Sequence, residues 1–217
     1  MPWIPERCWE GQDAFIIGGG ASLRDFDFSL LENRNTIGCN DAFRLGENVC
    51  KICLFGDASW FHKNRIELGE FKNSIFHVAP SLIRLDMPGY NGLHRKPKGL
   101  WDGNEIGWNF STGASAVNLA INLGAKRIFL LGIDLQLVNG KSHWHDHRAR
   151  TTLDPIFQRF VKGFNFIAES LKLEKYQGIE IIHVNNGPVV MPYFMQMPFG
   201  EFHVVLEKTQ LAEEVPA

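Results

Sequence analysis

The chain lacks a long apolar run. Its longest, from Ile128 to Leu131 and resuming at Ile133, is broken by Gly132 and Asp134. That falls well short of the roughly 20 residues that span a bilayer. No positively charged start leads into an apolar segment at the N-terminus, so no secretory leader is read, and a cytoplasmic protein is the expectation. An excess of one charge is also missing. Lysine and arginine total 22 against 24 aspartates and glutamates, a formal net charge of −2. This argues against binding nucleic acid through bulk charge, though it leaves room for a local basic patch. Cysteine is scarce, at four residues, which excludes a disulfide scaffold. Cys50 and Cys53 form a CxxC pair, but the segment from Val49 to Phe55 reads as a buried strand. Residues three apart on a strand face opposite sides, and no second CxxC completes a zinc site. Structural thiols are therefore expected. Internal repeats and low-complexity segments are absent.

What is present is an ordinary globular balance, 45% hydrophobic and 21% charged, in 217 residues. That length fits one domain, residues 1–217, with room for a small flap. Short apolar runs alternate with helical stretches. Strands are expected at Ala14 to Ile17, Thr36 to Cys39, Val49 to Phe55, Ser74 to Ala79, Arg127 to Ile133 and Glu180 to Val184. A helical turn or short helix is expected at Ser22 to Asn33, and further helices at Ala114 to Leu123 and Pro155 to Lys172. Ser111 or Thr112 can cap the helix from Ala114 and Gly124 can end it. The alternation predicts an α/β fold, a Rossmann-like, mostly parallel sheet flanked by helices. Leu82 to Trp108 departs from the pattern. Its two prolines, five glycines and two tryptophans read as an irregular flap or lid, or alternatively as a surface insertion or homo-oligomer contact. Glu207 to Ala217 reads as a polar tail.

In an open α/β sheet, ligands sit beyond the carboxyl ends of the strands. That rule gathers Gly18, Gly19, Gly20, Asn40, Asp41, Gly56, Asp57, Asp134, Asn185 and Asn186 into one crevice, with the helix start at Ser111, Thr112 and Gly113 facing it. A glycine turn and a helix N-terminus both suit a phosphate. GGGAS is neither the dinucleotide fingerprint nor a Walker loop, so a plain strand-to-helix turn is the alternative. The densest chemistry lies in His143, His145 and His147. Histidine suits proton transfer near neutral pH. Alternating histidines on an extended segment can also converge on one metal ion, or simply make hydrogen bonds in a solvated loop. Asp57 can hold a magnesium–phosphate group or cap the helix that follows. Trp60, Phe61, Trp101 and Trp108 can stack on a base or sugar, or fill the core.

Taken in order, these motifs resemble a known family. Phe15 to Leu23, FIIGGGASL, resembles the GNGPSL-type opening of the bacterial CMP-sialic-acid-dependent sialyltransferases. Ile37 to Phe43 resembles their next strand, with its CNxF-type end. Ser111-Thr112-Gly113, the helix after it, Leu123 to Ile128 and Leu131 to Asp134 resemble their SG-helix-ALG-strand-GID block. Ile182 to Pro188 matches their late strand and turn. A related pattern also resembles the archaeal 6-hydroxymethylpterin pyrophosphokinases. The first resemblance implies a Rossmann-like glycosyltransferase. In it Gly19, Gly20, Ser22, Asn40 and Thr112 would hold the nucleotide, and a histidine beyond the GID strand would act as general base, His143 being the first choice. The chain departs from that family at Gly19 and Ala21, which replace an asparagine and a proline, and at Leu135 and Gln136, which replace tyrosines that touch the leaving phosphate.

The leading expectation is a transferase that uses a nucleotide-sugar donor and an acceptor of unknown identity, with no resident cofactor. The nucleotide would lie against Gly18, Gly19, Gly20, Ser22, Asn40, Asp41, Ser111, Thr112, Gly113 and Asp134. The second expectation is a pyrophosphokinase needing Mg2+, with Asp57 or Asp134 as ligand. The third is a non-catalytic nucleotide-binding module.

Overall fold

The computed structural model describes residues 6–145, 154–189, 191 and 193–213. Ten strands and four α-helices are described: β1 (Asp13–Ile17), β2 (Thr36–Cys39), β3 (Ile52–Phe55), α1 (Ala58–Leu68), β4 (Ser74–His77), β5 (Tyr90–Gly92), β6 (His94–Lys96), β7 (Glu105–Gly107), α2 (Thr112–Asn122), β8 (Arg127–Leu131), α3 (Asp154–Leu171), β9 (Glu180–Val184), β10 (Met195–Met197) and α4 (Phe199–Glu213). Eight strands form one sheet in the order β10-β9-β8-β1-β2-β3-β4-β5, and every pairing in it is parallel. This is the Rossmann-like α/β sheet expected from the alternating pattern. Among the described residues, no helix is long and apolar enough to cross a membrane.

The sheet is buried on both faces, so its strands read as continuous apolar runs rather than as alternating ones. Along β1, Ala14 and Ile16 face one way, into a core shared with α2 and α3. Phe15 and Ile17 face the other way, onto Phe202 and Leu206 of α4. Under β3 and β4 that second face continues as Cys53, Phe55 and Ile75 against Phe61 and Leu68 of α1. Strand order reverses around β1. From it the chain builds outward through β2 to β5 on one side, and through β8 to β10 on the other. This is the topological switch point at which such sheets bind ligands.

Several expectations are corrected. The helical turn or short helix expected at Ser22 to Asn33 is not one element but two 3-10 turns, Ala21–Leu23 and Phe28–Leu31. The second is started afresh by Asp27, whose carboxylate accepts the Ser29 amide at 3.0 Å. The strand expected from Val49 begins only at Ile52, because the Cys50 amide turns back to the Gly46 carbonyl at 2.8 Å. Cys50 and Cys53 therefore share one apolar cluster instead of facing opposite sides. Burial pushes the Cys50 thiol up to about 12 and raises Cys53 as well, so both stay protonated at neutral pH. The tail read from Glu207 instead continues α4 as far as Glu213.

Residues 82–108 hold β5, β6 and β7 and bury Leu93, Leu100 and Ile106. Their later half is fastened to α2. Asn118 Oδ1 accepts the Trp101 and Gly107 amides at 3.0 and 2.9 Å, and its Nδ2 donates to the Trp101 carbonyl at 2.7 Å. Asn122 Nδ2 donates to the Gly103 carbonyl at 2.9 Å.

Candidate functional site

A cavity of about 240 Å³ opens at the carboxyl ends of β1, β2 and β8. It is lined by Gly18, Gly19, Gly20, Asn40, Asp41, Asp57, Ser111, Thr112, Gly113, Asp134, His143 and His145, among others. Sequence reasoning therefore placed most of its polar candidates on one wall-to-wall surface. Ser22 stands just behind that surface, bonded to Asp134. His147 lies outside the described residues. Asn185 and Asn186 do not line the cavity. Asn185 instead closes its own turn, accepting the Gly187 amide at 2.8 Å, and Asn186 accepts the Phe199 amide at 2.9 Å at the start of α4.

The glycine turn is shaped by the end of β8. The Gly18 amide donates to the Leu131 carbonyl and the Gly20 amide to the Gly132 carbonyl, both at 2.8 Å. A Cβ on Gly20 would lie 2.6 Å from Asp134 Cγ and from the Gly132 carbonyl oxygen. Small residues are thus required by the close approach of two chain segments. Asp134 locks the arrangement, since the Ser22 amide and hydroxyl both donate to its carboxylate, the amide at 2.9 Å. Burial raises the Asp134 pKa, and the Ser22 bonds and the nearby His183 oppose that rise. The amides of Gly18, Gly20 and Ser22 are therefore already engaged within the chain.

The start of α2 is differently disposed. Ser111, in extended conformation, caps the helix by accepting the Ala114 amide on its hydroxyl at 3.2 Å. An eleven-residue helix carries partial positive charge at this end, and the amides of Thr112 and Gly113 precede its first internal hydrogen bonds. The two residues before the cap, Asn109 and Phe110, have φ of 46° and 66°, a region that a bulky residue rarely adopts. Asn109 sustains this conformation. It is fully buried, accepts the Gly99 amide at 2.7 Å and donates to the Gly99 carbonyl at 3.0 Å.

At the end of β2, Asn40 has φ of 53°, which asparagine tolerates. Its Oδ1 is buried and has no hydrogen-bond partner among the described residues. Asp41 accepts the Trp60 indole at 3.2 Å, lies 3.5 Å from Arg44 Nε and has His145 Nε2 at 3.8 Å. His143 and His145 stand with ring centroids 5.4 Å apart, and His143 Nδ1 is 2.7 Å from the Ser142 hydroxyl.

Asp57 occupies the residue before α1 but makes no side-chain cap, so the expected helix-capping role gives way to a place on the cavity wall. Trp108 also lines the cavity, and Arg95 stacks on it at 3.8 Å. Trp60 and Phe61 pack beneath, against Phe55. Trp101 is turned outward and donates its indole to the Lys98 carbonyl at 2.9 Å. The described lining residues include no lysine or arginine. Among the described residues, no group of three or more metal-type ligands is placed to hold an ion.

Three contributors escaped the sequence reading. Ile156, Phe157, Phe160 and Phe164 of α3 form an apolar wall. Gln136, noted only as a replaced tyrosine, also reaches the lining. His183 lies fully buried behind the site, with Nε2 2.9 Å from the Ile133 carbonyl and Nδ1 3.0 Å from Gln196 Oε1. Burial lowers its pKa, and the bonds to the Ile133 carbonyl and Gln196, with the nearby Asp134, oppose that fall. A histidine inside an otherwise apolar strand was the one available signal.

No family model and no curated protein matches the chain. Among solved structures, the sialyltransferase CstII from Campylobacter jejuni, in complex with the substrate analogue cytidine-5'-monophosphate, matches with a TM-score of 0.54. Identity is 19%, over 87% of this chain and 86% of that one. The same enzyme in complex with CMP-3FNeuAc matches with a TM-score of 0.50 and 18% identity, over 86% of each chain. Identity this low carries architecture rather than activity: the chain shares its fold, at a distance, with a bacterial sialyltransferase.

Proposed function

We propose that the chain is a transferase acting on a nucleotide-activated donor, in the first instance a glycosyltransferase of sialyltransferase type. The observation that carries this reading is the gathering of the glycine turn, Asn40, the α2 N-terminus, His143 and His145 around one cavity at the switch point. The structures that the fold resembles hold CMP and CMP-3FNeuAc, which makes a cytidine nucleotide the first ligand to try. On this reading, the donor phosphate meets the Thr112 and Gly113 amides at the positive end of α2. His143 or His145 takes the proton of the acceptor hydroxyl as its oxygen bonds to the sugar carbon. The nucleotide phosphate leaves with the electron pair of the broken bond. Asp41, at 3.8 Å from His145, orients that ring and stabilises the imidazolium as it forms.

A thermal-shift screen of CMP, UDP, GDP, ATP and their sugar conjugates tests the reading, because a ligand that binds only the folded chain raises its apparent stability. Stabilisation by a nucleotide or its sugar conjugate supports it, and no shift with any of them refutes it. Replacing His143 or His145 by asparagine leaves nucleotide binding intact, and at least one replacement lowers turnover by about 10²–10⁴-fold. Full activity in both variants leaves His147 as the base, and full activity in His147→Asn as well removes the histidine base from the mechanism.

A second reading is favoured by three carboxylates, Asp41, Asp57 and Asp134, on a wall whose described residues include no lysine or arginine. It is a Mg2+-dependent pyrophosphokinase, with the ion carried mainly by the substrate phosphates. Turnover that rises from zero on titrating Mg2+ selects it, and metal-independent turnover selects the sugar transferase.

A further inference from the structure

Trp144 lies between His143 and His145, and the chemistry proposed above does not use it. Its backbone amide donates to the Gly19 carbonyl at 3.0 Å, and its indole Nε1 donates to the Gly18 carbonyl at 3.0 Å. One residue thus fastens the histidine segment to the glycine turn through two bonds that bridge more than a hundred residues of sequence. The indole leans on Phe28, with centroids 5.3 Å apart, and meets the His145 ring edge-on at 4.9 Å. A trans peptide points its carbonyl and its amide in opposite directions. Drawing the Gly18 and Gly19 carbonyls towards Trp144 therefore turns the Gly19 and Gly20 amides away from it, and the Gly20 amide meets the Gly132 carbonyl at 2.8 Å. The turn packs closely enough that a Cβ on Gly19 would lie 3.0 Å from His143 Cδ2. Indole is a donor without an acceptor, so phenylalanine keeps the ring contact with Phe28 and loses the bond to Gly18.

We infer that Trp144 is a positioning residue that sets His143 and His145 over the glycine turn and so fixes the distance between the nucleotide and the imidazoles. The inference rests on the transferase reading for its catalytic meaning, but the clasp itself is measurable without turnover. Three measurements on the full chain test it, and the first needs no substitution. Hydrogen exchange of the Trp144 indole proton in the unmodified protein is slowed at least about tenfold relative to free indole, as one hydrogen bond of ordinary worth implies. An indole that exchanges freely overturns the proposal.

The second measurement compares Trp144→Phe with Phe28→Leu, which loosens the ring contact and leaves the donor in place. Histidine ring signals of His143 and His145, followed by NMR against pH, change their titration in Trp144→Phe and keep it in Phe28→Leu. Unchanged histidine titration in a folded Trp144→Phe variant overturns the proposal. The third is CMP affinity by calorimetry, which falls about tenfold in Trp144→Phe. Equal affinity in the variant and the unmodified protein overturns the link to the nucleotide. If the unmodified protein does not bind CMP, the cytidine reading fails while the exchange and titration measurements still decide the role of Trp144.

Discussion

His77 closes β4 and is fully buried, yet neither ring nitrogen finds a hydrogen-bond partner among the described residues. Its ring stacks on Phe55 with centroids 5.4 Å apart, and Gly92 passes close to its Cε1 and Nε2. Burial lowers its pKa from 6.5 to about 4. A base whose folded pKa is depressed binds protons more tightly in the unfolded chain. Stability is therefore whole above pH 6.5 and is lost as the pH falls towards 4. At about 1.4 kcal/mol for each pKa unit, the drop from 6.5 to about 4 makes the full loss about 3 kcal/mol, of which about 2 kcal/mol is gone by pH 5. That is a large share of a stability expected at about 5–15 kcal/mol.

The test is urea denaturation at intervals from pH 8 to pH 4, on the unmodified protein, His77→Phe and His77→Leu. Phenylalanine keeps the stack on Phe55, and leucine guards against overpacking. The substitution is neutral or stabilising at pH 7.5, because an unpartnered buried polar ring is replaced by an apolar one. Below pH 6.5 the unmodified protein falls away from both variants, by about 3 kcal/mol at pH 4. His183, whose pKa is also lowered by burial, adds to the acid limb of all three proteins equally and cancels in the comparison. Parallel curves from pH 6.5 to pH 4 refute the argument, because a histidine kept neutral by burial must be charged by acid.

The remaining predictions concern packing around the cavity. Asp134→Asn places an amide donor against the two donors of Ser22, and costs about 1–3 kcal/mol of stability in denaturant titration at pH 7. Gly163→Ala drives a methyl group of α3 onto the Asn109 carbonyl; the cost is about 1–3 kcal/mol or more, read as a lowered thermal midpoint. Ser111→Ala removes the α2 cap and costs about 1 kcal/mol, with weaker binding of any anion that meets this helix end, measured by calorimetry. Asn118→Ala leaves the Trp101 and Gly107 amides without their acceptor, at about 1–3 kcal/mol for each, and limited proteolysis then cuts between residues 97 and 109 faster than in the unmodified protein.

The elements legible in the sequence are those written in local pattern. Thr36 to Cys39 and Glu180 to Val184 are strands with the expected ends, because apolar runs bounded by polar punctuation say so directly. Ser111 caps α2 as its residue type and position suggested. What escaped is set by partners far away in the chain. Ser22 and Asp134 are separated by 112 positions and Gly18 and Trp144 by 126, and no local window holds either pair. The glycines of the turn were legible as glycines, but their cause was not. A phosphate cradle and a close approach by another segment demand the same small residue, and in the fold the Gly18 and Gly20 amides turn to the Leu131 and Gly132 carbonyls at the end of β8. The helix over Phe199–Glu213 carried a signal ahead of the polar tail, for Phe202 and Leu206, four apart, are both buried.

By count alone the three carboxylates on the cavity wall argue against an anionic ligand, and the partners of each resolve the conflict. Asp134 is turned onto two donors of Ser22 and is held in a surrounding that disfavours its charge. Asp41 is shared among the Trp60 indole, Arg44 and His145. Asp57 feels Arg95, whose guanidinium is fixed to the Gly56 and Val78 carbonyls at 2.6 and 2.7 Å. Each negative group thus has its own positive or donating neighbour, so the count of carboxylates overstates the field that a ligand meets. Two features stand apart from these pairs: the N-terminus of α2, a donor surface, and Asn40 Oδ1, a buried acceptor without a partner among the described residues. A molecule with an anionic group at one end and an N–H or O–H donor at the other satisfies both at once. A nucleotide, with its phosphate and its base or ribose, carries both kinds of group, whereas a bare phosphate has no donor to offer Asn40 Oδ1 beyond its own hydroxyl.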